Sequence, residues 1–447
     1  MSMDKVWSSV KPMSAPSDGV FSNRTGQVEI AFPIAARDEV LRASSVRLCG
    51  KVRIRNFDAN GNSQNISEAS PLFQDWRTGI YSYIQSLTIR GLRDQRVLET
   101  INSYDQLLST LLPVFSSEDD YVGSHSEEFL ASNDFRAGLN SVKGTDCEQS
   151  FAARLYCGLF TGGNLLPLSE RALGGLEVII RLQIPQQALS DLTGTSVGAA
   201  GSNGGADFAI INPQLQYEVL RPPMDTLRSM EKSASGNMSY NTITTLQSVV
   251  NSSLHSAVFN IASSTGVIST WGKFVPTNHL NNYGEWGLST GALRTSTAAV
   301  ADYLGKAEIS KLSFFINGQL RPNDFSIRKD TGMSGYLKAQ LTRQGLDAIR
   351  NFADLDRQLV DSRMRATDDQ VIVGATNSEL YRGGEYEVIG INLDPFGESG
   401  RPMKQESLTI EIESDVGNAF ESPNTLFLFL LQRNILQYSQ GNTSITN

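Results

Sequence analysis

The sequence predicts a mainly β chain of two β-sandwich units in tandem, each with one helical excursion. Three observations carry this reading. Strand-length segments with period-2 apolar alternation recur through both halves, one strongly helical stretch interrupts each half, and Arg221-Pro222-Pro223 makes a stiff break near the middle of the 447 residues. At roughly 100–200 residues per domain, that length suits two β-rich units. Composition agrees: 40% hydrophobic residues supply packed cores, while 38 Gly and 15 Pro without a G-X-Y period supply turns.

In chain order, residues 1–22 form an N-terminal arm, Ser/Pro/Met-rich and read as irregular. The first sandwich spans 23–221, opening with a strand near Gln27–Ile34. Its clearest strand is Val46–Arg55, where Val46, Leu48, Val52 and Ile54 alternate with Arg47, Lys51, Arg53 and Arg55. Turn chemistry at Asp58–Asn62 and a strand at Ile84–Gly91 follow. Apolar residues at three- and four-residue steps from Val97 to Leu112 predict a helix ending at Pro113. Gly175–Ile184 is a second strong strand, and Phe208–Leu220 closes the unit, with Pro213 marking an edge or a break. The second sandwich, 222–437, repeats the layout. Strands fall at Val258–Ile261 and Ile309–Asn317, a helix at Leu346–Leu359, and strands at Val371–Val373, Tyr386–Ile391, Leu408–Ile412 and Leu426–Leu431. Residues 438–447 are a polar tail.

The longest apolar run, Leu426–Leu431, is far below the roughly 20 residues a spanning helix needs, so no membrane span is expected. No apolar leader segment is visible at the N-terminus. Cys49, Cys147 and Cys157 form an odd, sparse set read as reduced thiols. The net charge of −9 divides evenly, with 19 basic and 24 acidic residues up to Pro223 and 19 and 23 beyond. Neither half is a basic module, and strong direct nucleic-acid binding is not expected.

Catalytic chemistry is thin. His125, His255 and His279 are scattered without metal-ligand spacing, and neither a GxSxG elbow nor a Walker loop occurs. The glycines between Gly198 and Gly205 read as a flexible loop, and Glu118-Asp119-Asp120 and Asp368-Asp369 as solvated charge. Asp394 and Glu398 could be drawn as a glycosidase pair, but spacing alone distinguishes nothing. No catalytic, cofactor or metal residue is assigned. The basic stripe Arg47, Lys51, Arg53 and Arg55 is read as a solvated strand face, or as one that faces nucleic acid or meets carboxylates of a neighbouring subunit.

Several segments resemble the major capsid proteins of polinton-like viruses, adintoviruses and virophages. The segment from Phe32-Pro33-Ile34 to Leu48-Cys49-Gly50-Lys51-Val52 is similar to their opening strands. Ile84–Gly91 followed by Leu98–Tyr104 looks like a strand and the tyrosine-bearing helix opening of that family. Phe160–Leu168 with Gly175–Leu182 resembles the end of the first jelly roll, and Lys311–Pro322 a strand and turn of the second. The resemblance implies two jelly rolls side by side in a structural, non-enzymatic shell protein of an icosahedral double-stranded DNA virus. It implies a homotrimer of pseudo-sixfold outline whose partners are neighbouring capsomers, penton and minor capsid proteins, and a place in the virion shell after synthesis in host cytoplasm or nucleus. Trp7, Val10 and Met13, at three-residue steps, are then candidate assembly contacts of an arm held by a neighbour, or of a short helix folded back on its own subunit. Two rival readings stand beside this: a receptor- or glycan-binding spike, which exposed loop aromatics at Trp271, Tyr283 and Trp286 would favour, and a double jelly-roll glycan hydrolase.

Overall fold

The alternating segment Val46–Arg55 is the centre of the first unit. In the computed structural model of the chain it runs Arg47–Phe57, with Leu48, Val52 and Ile54 buried and Lys51 exposed, as a pleat with one dry face requires. The structure describes residues 4–58, 60–64, 72–74, 78–115, 141–142, 147–161, 164–191, 205–223, 225–226, 228–229, 237–251, 254–261, 266–276, 293–295, 309–321, 327–328, 348–349, 352, 371–375, 378–382, 389–394, 401–402, 407–414, 424–439 and 442–446.

The first unit contains β1 (Asp4–Val10), β2 (Val20–Ser22), β3 (Glu29–Ile34), β4 (Val40–Arg42), β5 (Arg47–Phe57), β6 (Ile84–Gly91), β7 (Val97–Asn102), α1 (Tyr104–Phe115), β8 (Cys147–Arg154), the short α2 (Gly158–Thr161), β9 (Leu165–Pro167), β10 (Leu176–Leu182) and β11 (Gly205–Arg221). The second contains β12 (Asn237–Val250), β13 (Ser256–Ile261), β14 (Gly266–Pro276), β15 (Ile309–Ile316), β16 (Gln319–Arg321), β17 (Ile389–Asn392), β18 (Leu408–Ser414), β19 (Asn424–Ser439) and β20 (Asn442–Thr446).

The two units wind identically. In the first, β3-β10-β6-β7 form one sheet and β8-β5-β11 the other, with β1 and β2 end to end along the far edge of β11. Strands β4 and β9 prolong the rows of β5 and β8. Counted one to eight along the chain, with β1/β2 first, β4/β5 third and β8/β9 sixth, the sheets run 1-8-3-6 and 2-7-4-5. The second unit's sheets, β12-β19-β14-β17 and β13-β18-β15-β16, run in the same orders. This antiparallel winding is a jelly roll. Among the described residues, no ladder joins a strand of the first unit to one of the second.

The cores do not divide as the sheets do. Leu426, Leu428 and Leu430 of β19 face the second unit's own core, with Ile391, Leu408 and Ile410. Phe427, Phe429 and Leu431 face the other way, into one hydrophobic cluster continuous with the whole core of the first unit. That double burial explains why β19 reads as an unbroken apolar run, since a strand dry on both faces has no polar side to alternate with.

Several sequence expectations are corrected. The arm is not irregular: Asp4–Val10 is a strand paired with Leu215–Arg221, because Val6 and Val10 alternate inward onto the core. Neither an arm held only by a neighbour nor a short helix describes that segment. The tail expected over 438–447 is also a strand, Asn442–Thr446, folded back on Ile435–Ser439. The first helix begins at Tyr104, not Val97. Val97–Asn102 pairs with β6 instead, and Ser103, at φ 52°, turns the chain into the helix while its carbonyl accepts Leu107 N at 3.0 Å. The helix continues past Pro113 to Phe115. Pro213 neither ends nor edges its strand. It sits at a bulge between Ile211 and Gln214, where a residue lacking an N–H loses no ladder bond. Asn212 in that bulge has φ 47°, and Gly19 must be a glycine beside it, since a Cβ there would lie 2.2 Å from Asn212 Oδ1. Of the helix expected at Leu346–Leu359, Ala348, Ile349 and Phe352 are helical and buried, and the remainder lies outside the described residues.

Candidate assembly surfaces

The seam between the jelly rolls is built from the fifth-strand edge of the first and the first-strand edge of the second. Strand edges carry unpaired backbone groups that must be satisfied once buried. Here side chains do it. Tyr240 Oη donates to Leu98 O at 2.6 Å, and Thr245 Oγ1 donates to Asn102 O at 2.7 Å. The carboxylate of Glu99, buried on β7, accepts from Gly158 N (2.9 Å), Leu159 N (3.0 Å), Thr242 Oγ1 (3.1 Å) and Ile243 N (3.3 Å). One side chain thus ties the start of α2 and strand β12 to β7. Burial raises its carboxyl group above the usual range, and the three N–H donors and the Thr242 hydroxyl oppose that rise. The fit admits no extra atom at Gly158, where a Cβ would lie 1.4 Å from Asn241 O.

Helix α1 lies over the outer face of the second roll's β12-β19-β14-β17 sheet. Leu107, Leu108, Leu111 and Leu112 are buried, and so are its polar residues Ser109 and Thr110. Trp271 Nε1 on β14 donates to Thr110 Oγ1 at 3.2 Å, and Lys273 Nζ donates to Ser109 Oγ. Trp271 is fully buried, its ring 6.2 Å from Phe429 and 6.3 Å from Phe352. That is a core position, so Trp271 is not the exposed loop aromatic of the spike reading; Tyr283 and Trp286 lie outside the described residues. Asp105, at the start of α1, accepts from Gln183 Nε2 at 3.0 Å. Burial raises its carboxyl to about 6, against the Gln183 hydrogen bond and the positive charge of Lys273. Glu99, Asp105 and Lys273 escape sequence reasoning. Their one signal is a charged residue inside an otherwise apolar segment, such as Lys273 between Trp271 and Val275.

Five of the seven residues singled out from sequence come together on one surface, the outer face of the first roll's β1/β2-β11-β5-β8 sheet. Register fixes this, because directly opposed residues share a face. Trp7 opposes Glu218, Arg47 opposes Gln216, Lys51 opposes Ile211, Arg53 opposes Ala209 and Arg55 opposes Asp207. Val10 lies on the inner side against the core, and Met13 lies beyond β1, its N–H bonded to Ala31 O at 2.8 Å. Trp7 and Met13 are each 61% exposed.

The basic stripe is partly neutralised within its own sheet. Glu148 on β8 pairs with Arg53 and, at 3.9 Å, with Lys51; Arg42 Nη1 meets Glu218 Oε2 at 3.2 Å. Asp207, opposite Arg55, is pushed to about 6 by burial, against a hydrogen bond from Phe208 N and the charges of Arg24 and Arg55. Arg47 directly opposes Arg154 across β5 and β8, a like-charge pair.

Among the described residues no group of His, Cys, Asp and Glu is arranged to hold a metal, and no helix is long and apolar enough to cross a membrane. His255 is exposed. His125, His279, Glu118–Asp120, Asp368-Asp369 and Glu398 lie outside the described residues.

No family model and no curated protein matches this sequence. Solved structures do. The PBCV-1 protein VP54, fitted into a cryo-EM reconstruction of the virophage Sputnik, is 12% identical with a TM-score of 0.57, over 100% of this chain and 98% of that one. A quasi-atomic model of the PBCV-1 virus capsid gives 11% identity and a TM-score of 0.59 over the same shares. The Faustovirus major capsid protein gives 8% and 0.56, over 98% of this chain and 91% of that one. At such identities the likeness is one of fold: the double jelly roll, matched from end to end.

Proposed function

We propose that this chain is a major capsid protein, the structural unit of an icosahedral double-stranded DNA virus shell. The single observation that carries the proposal is the seam. Two jelly rolls of identical winding are fixed to each other by one continuous hydrophobic cluster and by Glu99, so the subunit is a rigid block with two similar sides. Three such blocks close a ring of pseudo-sixfold outline, a homotrimeric capsomer. The end-to-end likeness to capsid proteins supports this reading. In this reading the protein belongs to the virion shell, among neighbouring capsomers, penton proteins and minor capsid proteins, in a structural rather than a catalytic role. The join between rolls falls near Arg221–Pro223, where β11 ends.

Trp7, Met13 and the stripe Arg47, Lys51, Arg53 and Arg55 are the assembly contacts in this reading. The Arg47–Arg154 opposition supports it, since an acidic group from a neighbour would relieve the repulsion between like charges. Light scattering on the purified chain tests the proposal. A particle of three times 48.8 kDa with a hexagonal outline in negative stain is the expected result. A monodisperse monomer at micromolar concentration overturns it.

A further inference from the structure

The chain contains three Asn-Gly pairs, at Asn60, Asn203 and Asn317. Such a pair has a reaction of its own, because a glycine has no side chain to shield its amide nitrogen from the carboxamide one residue before it. Asn203 lies outside the described residues. The other two pairs sit in exposed turns that hold them in opposite ways.

Asn317 and Gly318 are the two central residues of the hairpin between β15 and β16, with Ile316 opposite Gln319. Their φ values, 52° and 75°, are the positive pair that a tight two-residue hairpin turn requires. The Asn317 side chain is pinned from outside the turn. Ser407 N donates to Asn317 Oδ1 at 3.0 Å, and Asn317 N donates to Ser407 O at 3.0 Å. The carboxamide can reach Gly318 N only by giving up Ser407.

At Asn60 the backbone is clasped and the side chain is not. Asp58 organises the turn: its Oδ1 accepts from Asn60 N at 2.9 Å and Asn62 N at 2.8 Å. Its Oδ2 accepts from Asn62 Nδ2 at 3.2 Å and Gln64 Nε2 at 3.3 Å, and Gly61 N donates to Asp58 O at 2.9 Å. Asn60 is exposed, and its carboxamide makes no hydrogen bond among the described residues. It meets Gly61 N whenever this solvent-exposed turn opens, and an exposed turn opens at low cost.

We propose that Asn60-Gly61 is a site of spontaneous deamidation, a slow covalent change that unlatches the Asp58 turn, and that Asn317-Gly318 is spared. Hydroxide takes the proton from Gly61 N, and that nitrogen attacks Asn60 Cγ. A C–N bond forms, and Nδ2 takes a proton from water and leaves as ammonia, which returns the hydroxide. Water then opens the five-membered imide at either carbonyl. One opening gives aspartate; the other gives isoaspartate, with the main chain rerouted through the former side chain. Both products set a carboxylate beside that of Asp58, whose own carboxyl the hydrogen bond from Asn62 N holds below its ordinary value. Isoaspartate also adds one carbon to the main chain between Asn60 Cα and Gly61 N. Gly61 N and Asn62 N are thereby displaced from the Asp58 oxygens that accept from them. This chemistry is independent of the capsomer reading: it marks the age of the chain whatever the chain builds.

The test uses the full-length wild-type chain, aged in mildly alkaline buffer made with heavy-oxygen water and mapped by peptide mass spectrometry. Asn60 is expected to convert at least about tenfold faster than Asn317, the ratio given by about 1.4 kcal/mol of extra opening cost at the pinned site. In urea strong enough to unfold the chain, the two rates should converge. The converted peptides should carry heavy oxygen and contain both isomers, isoaspartate in excess, as resolved by electron-transfer fragmentation. Amide hydrogen exchange across residues 58–64 should be faster in the aged fraction. Equal rates in the folded chain overturn the proposal, and so does aspartate without isoaspartate, the product of direct hydrolysis. A difference that survives unfolding also overturns it, because the turns would then not be its cause. An aged fraction with unchanged exchange overturns the unlatching.

Discussion

Strands β11 and β19 hold the same place in the winding, eighth in each roll, yet they use their outer faces in opposite ways. Along β11 that face carries Asp207, Gln214, Gln216 and Glu218 beside the basic stripe of β5. Along β19 it carries Phe427, Phe429 and Leu431, all buried beneath elements that include the first roll's α1. One topology therefore tolerates a wet outer sheet in one copy and requires a dry one in the other. The winding is set by the inward-facing alternation that both rolls share, while the outward residues record what each sheet is packed against. The second roll has an apolar outer sheet covered by the first roll's α1 and by its own Ala348, Ile349 and Phe352. The first roll's outer sheet is polar and needs no such cover to fold.

Removing the apolar lining of the seam should have the largest effect. Phe429→Ala is expected to cost about 3–5 kcal/mol, as other buried aromatic deletions do. Because the seam core is continuous with the first roll, one cooperative transition should shift in urea unfolding followed by fluorescence and far-ultraviolet dichroism. Two separated transitions, with only the second roll affected, would show that the rolls fold independently. Glu99→Ala comes next. It strands three buried N–H groups and the Thr242 hydroxyl, and should cost on the order of 3 kcal/mol by the same measurement. Glu99→Gln, which keeps one carbonyl acceptor, should cost less.

A smaller effect concerns pH. Asp105 sits near 6 in the folded chain against 3.8 for the free side chain, so its contribution to stability is fully present below pH 3.8 and lost as the pH rises through 6. Lys273 is the charged group facing it. Asp207, also near 6, is common to both proteins being compared. The melting temperature of the native chain minus that of Asp105→Asn should therefore fall between pH 4 and pH 7. A difference that is flat or rising with pH would contradict the assigned cause. Arg53→Ala, on the exposed face of the first roll, should change stability by less than about 1 kcal/mol, since its pair with Glu148 is solvated. A larger loss in the isolated subunit would mean that the stripe does structural work of its own.

The residues that announced the fold were those whose pattern is local. The alternation in Arg47–Phe57, Ile84–Gly91 and Leu176–Leu182 appears in the sequence because each strand has one dry and one half-wet face. Val97–Asn102 misled because apolar residues at 97, 98 and 101 suit a helix as well as a strand; pairing with Ile84–Gly91 decides it. At Asp4–Val10 the alternation of Val6 with Val10 was present, but the three-residue steps through Trp7 and Met13 competed with it. The run Leu426–Leu431 showed that a segment is dry on both sides without saying what lies on the second. Glu99, Asp105 and Lys273 were invisible for a deeper reason. Their partners lie on other strands and on another roll, and a charged residue in an apolar segment carries no mark of the partner that will satisfy it.

The hook made by β20 has a consequence in time rather than in space. Thr443 N and Oγ1 both donate to Asp94 Oδ2, at 2.6 and 2.7 Å, across 349 residues of chain. During synthesis at about 5–20 residues per second, the first roll leaves the ribosome tens of seconds before the residue that fastens its β6–β7 turn exists. Through that interval the turn must hold its shape with bonds inside the first roll, such as Gly91 N to Arg96 O, Arg96 N to Asp94 Oδ1 and Leu92 N to Gly175 O. Closing the hook is then among the last acts of folding. It can occur only on a chain translated through Thr443, so a ribosome that stops short releases a subunit with that carboxylate still unclaimed.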